Sequence, residues 1–290
     1  MDAFTAKVLL SVVIEAIWVA GATIVAERVG PKTGGTIGML PTHIVVSLLF
    51  IGLTQNALFA AESAKMVPLT MMINSLFLFS YIALAPRIKQ WAVPASIAFW
   101  FAASTLLGFS GIKEMWGGIV IYGLVTLTCF FLVKYKMNVP IMGKRNVKYT
   151  IPTLAFRATL AGAIVATAVI LAAVGGPVWG GIFAIFPAIM LGNIVILTRS
   201  QGIPFTRYTV KVMLPAASDI IVFAVGVYFF YPLFDVLGGT ILAYMLAISY
   251  AIFMYPYIRR YEYKKWGTEA AKPSYSQRRA KALRRTRRYT

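Results

Sequence analysis

GPKTGGTIGMLP, residues 30–41, returns 146 positions later as GPVWGGIFAIFP, residues 176–187. Gly30/Gly176, Pro31/Pro177, Gly34/Gly180, Gly35/Gly181 and Pro41/Pro187 are shared. The flanks extend the match. TQNALF (54–59) pairs with SQGIPF (200–205), Lys65 with Lys211 and, with one gap, VPLTMM (67–72) with LPAASD (214–219). Each copy lies between long apolar stretches, so the chain reads as a duplicated helical unit. Gly30 and Pro31 suit a turn. Gly34 and Gly38, like Gly180 and Ala184, lie one helical turn apart and leave a bare face that a neighbouring backbone can approach. Pro41 and Pro187 are expected about one and a half turns inside the following helix, where the missing N–H frees an earlier carbonyl. That carbonyl needs a protein partner or a cavity, because lipid donates no hydrogen bond.

The chain of 290 residues is 59% hydrophobic and 13% charged, with a mean hydropathy of +0.77. Soluble domains carry about 25% charged residues. Apolar runs of roughly 18 residues or more suffice to cross about 30 Å of hydrocarbon. They predict nine spans, at about 4–26, 33–54, 66–86, 91–111, 115–134, 152–174, 178–198, 209–231 and 236–257. The expected fold is therefore an all-α polytopic membrane protein. Four spans form a first repeat (1–112), a crossover helix and basic loop follow (113–150), and four more form a second repeat (151–258). A basic tail closes the chain (259–290). An odd crossover span turns the second copy upside-down, the inverted-repeat plan of many secondary transporters.

Lys and Arg in the loops give the orientation. One set of alternate loops holds Arg28, Lys32, Arg87, Lys89, Lys134, Lys136, Lys144, Arg145, Lys148, Arg199, Arg207 and Lys211. The other holds Lys65 and Lys113, each near an acid, Glu62 or Glu114. This predicts an inner or plasma membrane location, with the N-terminus outside and the C-terminus cytoplasmic. MDAFTAKVLL lacks the basic segment and cleavage site of a signal peptide, so it reads as the start of a retained span.

A single cysteine, Cys129, and a single histidine exclude an internal disulfide and the usual Cys/His metal sets. Neither an HEXXH nor a P-loop pattern is present, and no catalytic triad is legible. No cofactor, metal or enzyme activity is expected. The informative residues are ionisable or polar groups at membrane depth: Glu15, His43, Asn74, Asn193 and Asp219, with Arg157 within reach. A central carboxylate costs about 2.5–3.5 kcal/mol on insertion scales, so Glu15 and Asp219 must face the bundle interior and be protonated or paired. They are expected to share one polar cavity with His43 and Asn74, and one of them to exchange a coupling proton. The bland alternative pairs Glu15 with Arg157.

From Arg259 the tail holds twelve Lys and Arg against Glu262 and Glu269, and Pro, Ser and Gly interrupt it. Arg278, Arg279, Arg284, Arg285, Arg287 and Arg288 are expected to meet anionic headgroups at about 1 kcal/mol each. Nucleic acid is the weaker partner. Lys7-Val8-Leu9-Leu10-Ser11, then Gly34-Gly35-Thr36-Ile37-Gly38-Met39-Leu40-Pro41, and loosely Pro68 onward, resemble the GlpM-like small integral membrane proteins, here as a fused double copy. The resemblance implies a membrane location and carries over no catalytic residue.

The functional expectation is a transporter or permease working by alternating access, proton- or cation-coupled, with no substrate specified. Its small-residue faces would also suit a homodimer. The alternative is a non-transporting scaffold or assembly factor whose tail recruits lipid or RNA.

Overall fold

The computed structural model describes residues 2–28, 41–137, 139, 150–216 and 218–269. Gly34 and Gly35 lie outside the described residues, as do Lys144, Arg145, Lys148 and the tail arginines Arg278, Arg279, Arg284, Arg285, Arg287 and Arg288. Among the described residues the chain is all-helical, without strands. Helices α1 (Ala3–Arg28), α2 (Thr42–Thr54), α3 (Ala57–Ala64) and α4 (Val67–Ile88) come first. A 3-10 turn, Lys89–Trp91, leads to α5 (Ala92–Phe109). Helix α6 (Met115–Phe131) ends in a π turn, Leu132–Lys136. Helices α7 (Ile151–Gly175), α8 (Pro177–Ala184), α9 (Ala188–Gln201), α10 (Ile203–Ala216) and α11 (Asp219–Glu269) follow, and α11 breaks at Asp235. Asp2 caps α1: hydrogen bonds from Thr5 hold its carboxyl below the usual carboxylate range.

Six segments are long and apolar enough to cross a membrane: Ala3–Val25, Val67–Phe109, Met115–Lys136, Ile151–Gly175, Pro177–Gln201 and Ile203–Met254. The predicted spans 66–86 and 91–111 are one such segment, turning at Lys89. Those at 209–231 and 236–257 are another, turning at Asp235. The predicted span 33–54 is described only from Pro41 on. The described surface of the bundle also fits lipid: Leu106, Phe109, Leu124, Val174, Leu233 and Leu237 are all exposed.

Cross-helix contacts fix the helix directions. Lys7 Nζ donates to the Leu53 carbonyl while Glu15 meets His43, so α1 and α2 are antiparallel. Gly52 packs against Tyr231 and Val236, which places Lys7, Leu53 and the Asp235 break at one end. Helix α4 leaves that end parallel to α8 and α9: Gly181 packs on Ser63, Asn74 bonds Ile185, and Tyr81 bonds Thr198. Helix α7 runs the other way, with Ala172 against Gly180 and Arg157 bonded to Asn193. Helix α10 starts beside Ile82 at the far end, and α11 climbs from there to Asp235. Beyond Asp235 it returns, with Ala243 against Gly226 and the Tyr250 hydroxyl donating to Ser218. Helices α1 and α7 therefore run in opposite directions. So do α2 and α9, and α4 and the first limb of α11.

Corresponding features recur at the spacing seen in the sequence. Helices α2 and α9 start 146 residues apart, at Thr42 and Ala188, and so do α3 and α10, at Ala57 and Ile203. Pro41 (φ −77°, ψ 53°) and Pro187 (φ −76°, ψ 47°) share one backbone conformation. Among the described residues only Lys89 (φ 51°) and Asp235 (φ 57°) combine a side chain with a positive φ, and they too are 146 apart. Neither proline sits inside a helix as expected. Each occupies the N-cap position, where its fixed φ starts a helix and its missing N–H costs nothing. Helix α3 is a second correction, because the sequence reading placed only a loop between the flanking spans. Asn56 starts it by accepting from the Phe59 N–H at 2.8 Å, and its face Ala60, Ala61, Ser63 and Ala64 is buried.

Candidate functional site

Glu15 lies half-way along α1, and His43 lies two residues after Pro41, at the start of α2. The antiparallel pairing brings them together: His43 Nδ1 is 2.9 Å from Glu15 Oε1, with Glu15 fully buried and His43 nearly so. Two helical stripes supply the setting. On α1, Val8, Ser11, Glu15, Val19 and Thr23 are buried at spacings of three and four; on α2, His43 and Ser47 follow at a spacing of four. The Ser11 hydroxyl bonds the Val8 carbonyl at 2.7 Å. Among the described residues, Glu15 Oε2, His43 Nε2 and Ser47 Oγ have no hydrogen-bond partner. Each buried polar atom left so costs about 1–3 kcal/mol. A carboxylate, an imidazole and a hydroxyl thus converge beside a helix start with bonding capacity to spare. Such a group can accept a proton, hold a small cation, or pass either on.

The second helix start is closed. Residues 185–187 interrupt the apolar segment between α8 and α9. The Phe183 carbonyl, four residues before Pro187, accepts from the Phe186 N–H at 3.1 Å, so the carbonyl that needs outside help is that of Ile185. Asn74 supplies it, donating from Nδ2 at 2.9 Å, while its Oδ1 accepts from Trp100 Nε1 at 2.7 Å. Trp100 is fully buried and sits edge-on to Phe186, with ring centroids 4.8 Å apart. Asn74 is thus fastened to the break in the second half and has no bond to Glu15 or His43. Trp100 escaped the sequence reading, since nothing in an apolar run marks which indole carries a buried bond.

Asn193 accepts from Arg157 Nη1 at 2.7 Å, so Arg157 joins Asn193 and not Glu15. Asp219 begins α11, is buried, and among the described residues has no hydrogen-bond partner for either carboxylate oxygen. Tyr122 of α6 and Tyr244 of α11 lie within electrostatic reach of it. From the Gly52–Val236 contact, His43 is about 14 Å down α2 and Asp219 about 25 Å down α11, at 1.5 Å per residue. Asp219 thus lies well below His43, and Asn74 is bonded to Ile185 and Trp100, so these contacts do not gather Glu15, His43, Asn74 and Asp219 around one cavity. Gly180 and Gly181 perform the close packing expected of them. A Cβ on Gly181 would collide with the Ser63 carbonyl, and one on Gly180 would lie 2.6 Å from the Ala172 Cβ. No group of His, Cys, Asp and Glu able to hold a metal occurs among the described residues.

No family model matches the chain, and no curated protein or solved structure is significantly similar to it. Among the described residues the fold is all-helical, with apolar helices of membrane-crossing length.

Proposed function

We propose that the protein is a multi-pass membrane transporter of inverted-repeat architecture, working by alternating access and coupled to a proton or small cation through Glu15 and His43. The carrying observation is the buried Glu15–His43 pair beside the Pro41 helix start, whose remaining polar atoms have no partner among the described residues. Transporters of this plan place coupling groups at mid-depth, beside interrupted helices, between two oppositely directed repeats. The helix directions and the spacing of 146 support that reading. Splitting the long segments at Lys89 and Asp235, and counting the shorter apolar helix His43–Thr54, turns six apolar segments into nine crossings, four on each side of α6. Lys89, Lys136, Arg199 and Arg207 then gather at one end, which the positive-inside rule makes cytoplasmic.

In this mechanism the unpartnered Glu15 Oε2 takes up a proton from one side, which neutralises the carboxylate and weakens the contact between Oε1 and His43 Nδ1. Rocking of the repeats then presents the pair to the other side, where the proton leaves. Asp219, nearer the basic end, is the second station. The test uses liposomes holding a pH-sensitive dye and a panel of outward cation gradients. The wild type is expected to move protons with one of the gradients, Glu15→Gln to abolish the movement, and His43→Gln to shift its pH dependence. Proton movement no faster than in empty liposomes under every gradient would leave the scaffold reading in place. Unchanged coupling in both variants would remove Glu15 and His43 from the mechanism.

A further inference from the structure

At the end of the bundle opposite Lys7, the tips of α4, α6 and α10 enclose a cavity of about 440 Å³ lined by Ala83, Pro86, Arg87, Lys136, Met137 and Arg207. Three of the six lining residues are cations and none is an acid. Two backbone irregularities build it. Pro86 lies within α4 and lacks the N–H that would bond the Ile82 carbonyl. Arg207 Nε donates to that carbonyl at 2.9 Å. The guanidinium is thereby held at the cavity wall by one of its five N–H donors, and both terminal nitrogens remain for a ligand. The second irregularity is the π turn Leu132–Lys136, closed by the Met137 N–H to the Leu132 carbonyl at 3.1 Å. The extra residue changes the helical register just before Lys136, a device found often at functional sites. It separates Lys134, which lies 4.8 Å from the Tyr135 ring centre, from Lys136, which lines the cavity.

We propose that this cavity is a binding site for a phosphate group, with Arg207 as the fixed fork and Arg87 and Lys136 as the closing cations. A planar guanidinium pinned at Nε presents two parallel donors to phosphate oxygens, and the other two cations neutralise the remaining charge. Both an anionic phospholipid headgroup and a soluble phosphate carry this chemistry.

Thermal unfolding of the full chain in uncharged detergent tests the proposal, with added phosphatidylglycerol, phosphatidylcholine or inorganic phosphate, at two salt concentrations. Phosphatidylglycerol or phosphate should raise the midpoint, and phosphatidylcholine should not. The double variant Arg87→Gln/Lys136→Gln, which leaves the Arg207–Ile82 bond in place, should bind the active additive roughly tenfold more weakly for each cation lost. Arg207→Lys should keep the fold but lose affinity to a similar degree. A response to phosphatidylglycerol alone identifies the lipid as the source, and a response to inorganic phosphate identifies a soluble ligand. A midpoint that neither additive moves, or a shift of equal size in wild type and double variant, overturns the proposal. The equal shift would place binding on other cations such as those of the tail.

Discussion

Two helix starts, at Pro41 and at Pro187, share one backbone conformation and differ in what faces them. The Pro187 start is fastened: Asn74 bonds Ile185 and Trp100 together, and aromatic rings surround the join. The Pro41 start faces Glu15, His43 and Ser47, three residues with polar atoms to spare. The same interruption thus occurs twice, closed by side-chain bonds at Pro187 and flanked by unpartnered polar atoms at Pro41. A satisfied polar network rigidifies, whereas a partly satisfied one is retained only where something else completes it.

That contrast can be broken most severely at the fastened start. Asn74→Leu keeps the branched shape and removes both bonds, leaving the Ile185 carbonyl and the Trp100 N–H buried without partners. The expected loss is about 2–4 kcal/mol, measured by unfolding in detergent. Asn74→Asp, which cannot donate to Ile185 when ionised, should lie nearby. A loss under 0.5 kcal/mol for both would mean that the join is not held by Asn74. The same region yields the next effect. Gly181→Ala must push α3 away from α8 and should cost about 1–3 kcal/mol, whereas Gly192→Ala, with open space at its Cβ, should be neutral or better.

The open start should respond with the opposite sign. Replacing Glu15 and His43 together by Leu removes a buried pair with unsatisfied atoms and is expected to be neutral or to stabilise by about 1–2 kcal/mol, while abolishing proton coupling. Replacing His43 alone leaves the carboxylate unpaired and should destabilise. A double variant that loses as much stability as Asn74→Leu would show that Glu15 and His43 are structural glue like Asn74.

The recurring glycine and proline pattern was legible because these residues are chosen by backbone geometry, and Pro41 and Pro187 do share one conformation. It did not reveal the matching turns at Lys89 and Asp235, since the residues differ although the φ values agree. Glu15, His43, Asn74 and Asp219 stood out by charge or polarity at depth, but their grouping did not. In lipid both faces of a helix are apolar, so hydrophobic periodicity carries no information about rotation, and the pairing of Asn74 with Trp100 could not be foreseen. The 146-residue spacing predicted opposed helices. The expectation of one cavity came from assuming that deep polar residues meet, when each had a nearer partner or none.

The two turns allow the finest comparison. Both hold a residue with a side chain in the left-handed region, at a cost of about 1–2 kcal/mol relative to glycine. Asp235 offsets part of this locally, because its Oδ1 accepts the Val236 N–H at 2.7 Å and starts the second limb of α11. A lysine has no acceptor with which to do the same. Lys89→Gly should therefore raise stability by about 1 kcal/mol, and Asp235→Gly by clearly less, since relief of the backbone is set against the lost cap. Equal gains at both positions would show that the Asp235 carboxylate contributes nothing to its turn. A loss at Lys89 would mean that its side chain, at the basic end of the bundle, is held there by an interaction stronger than the backbone penalty.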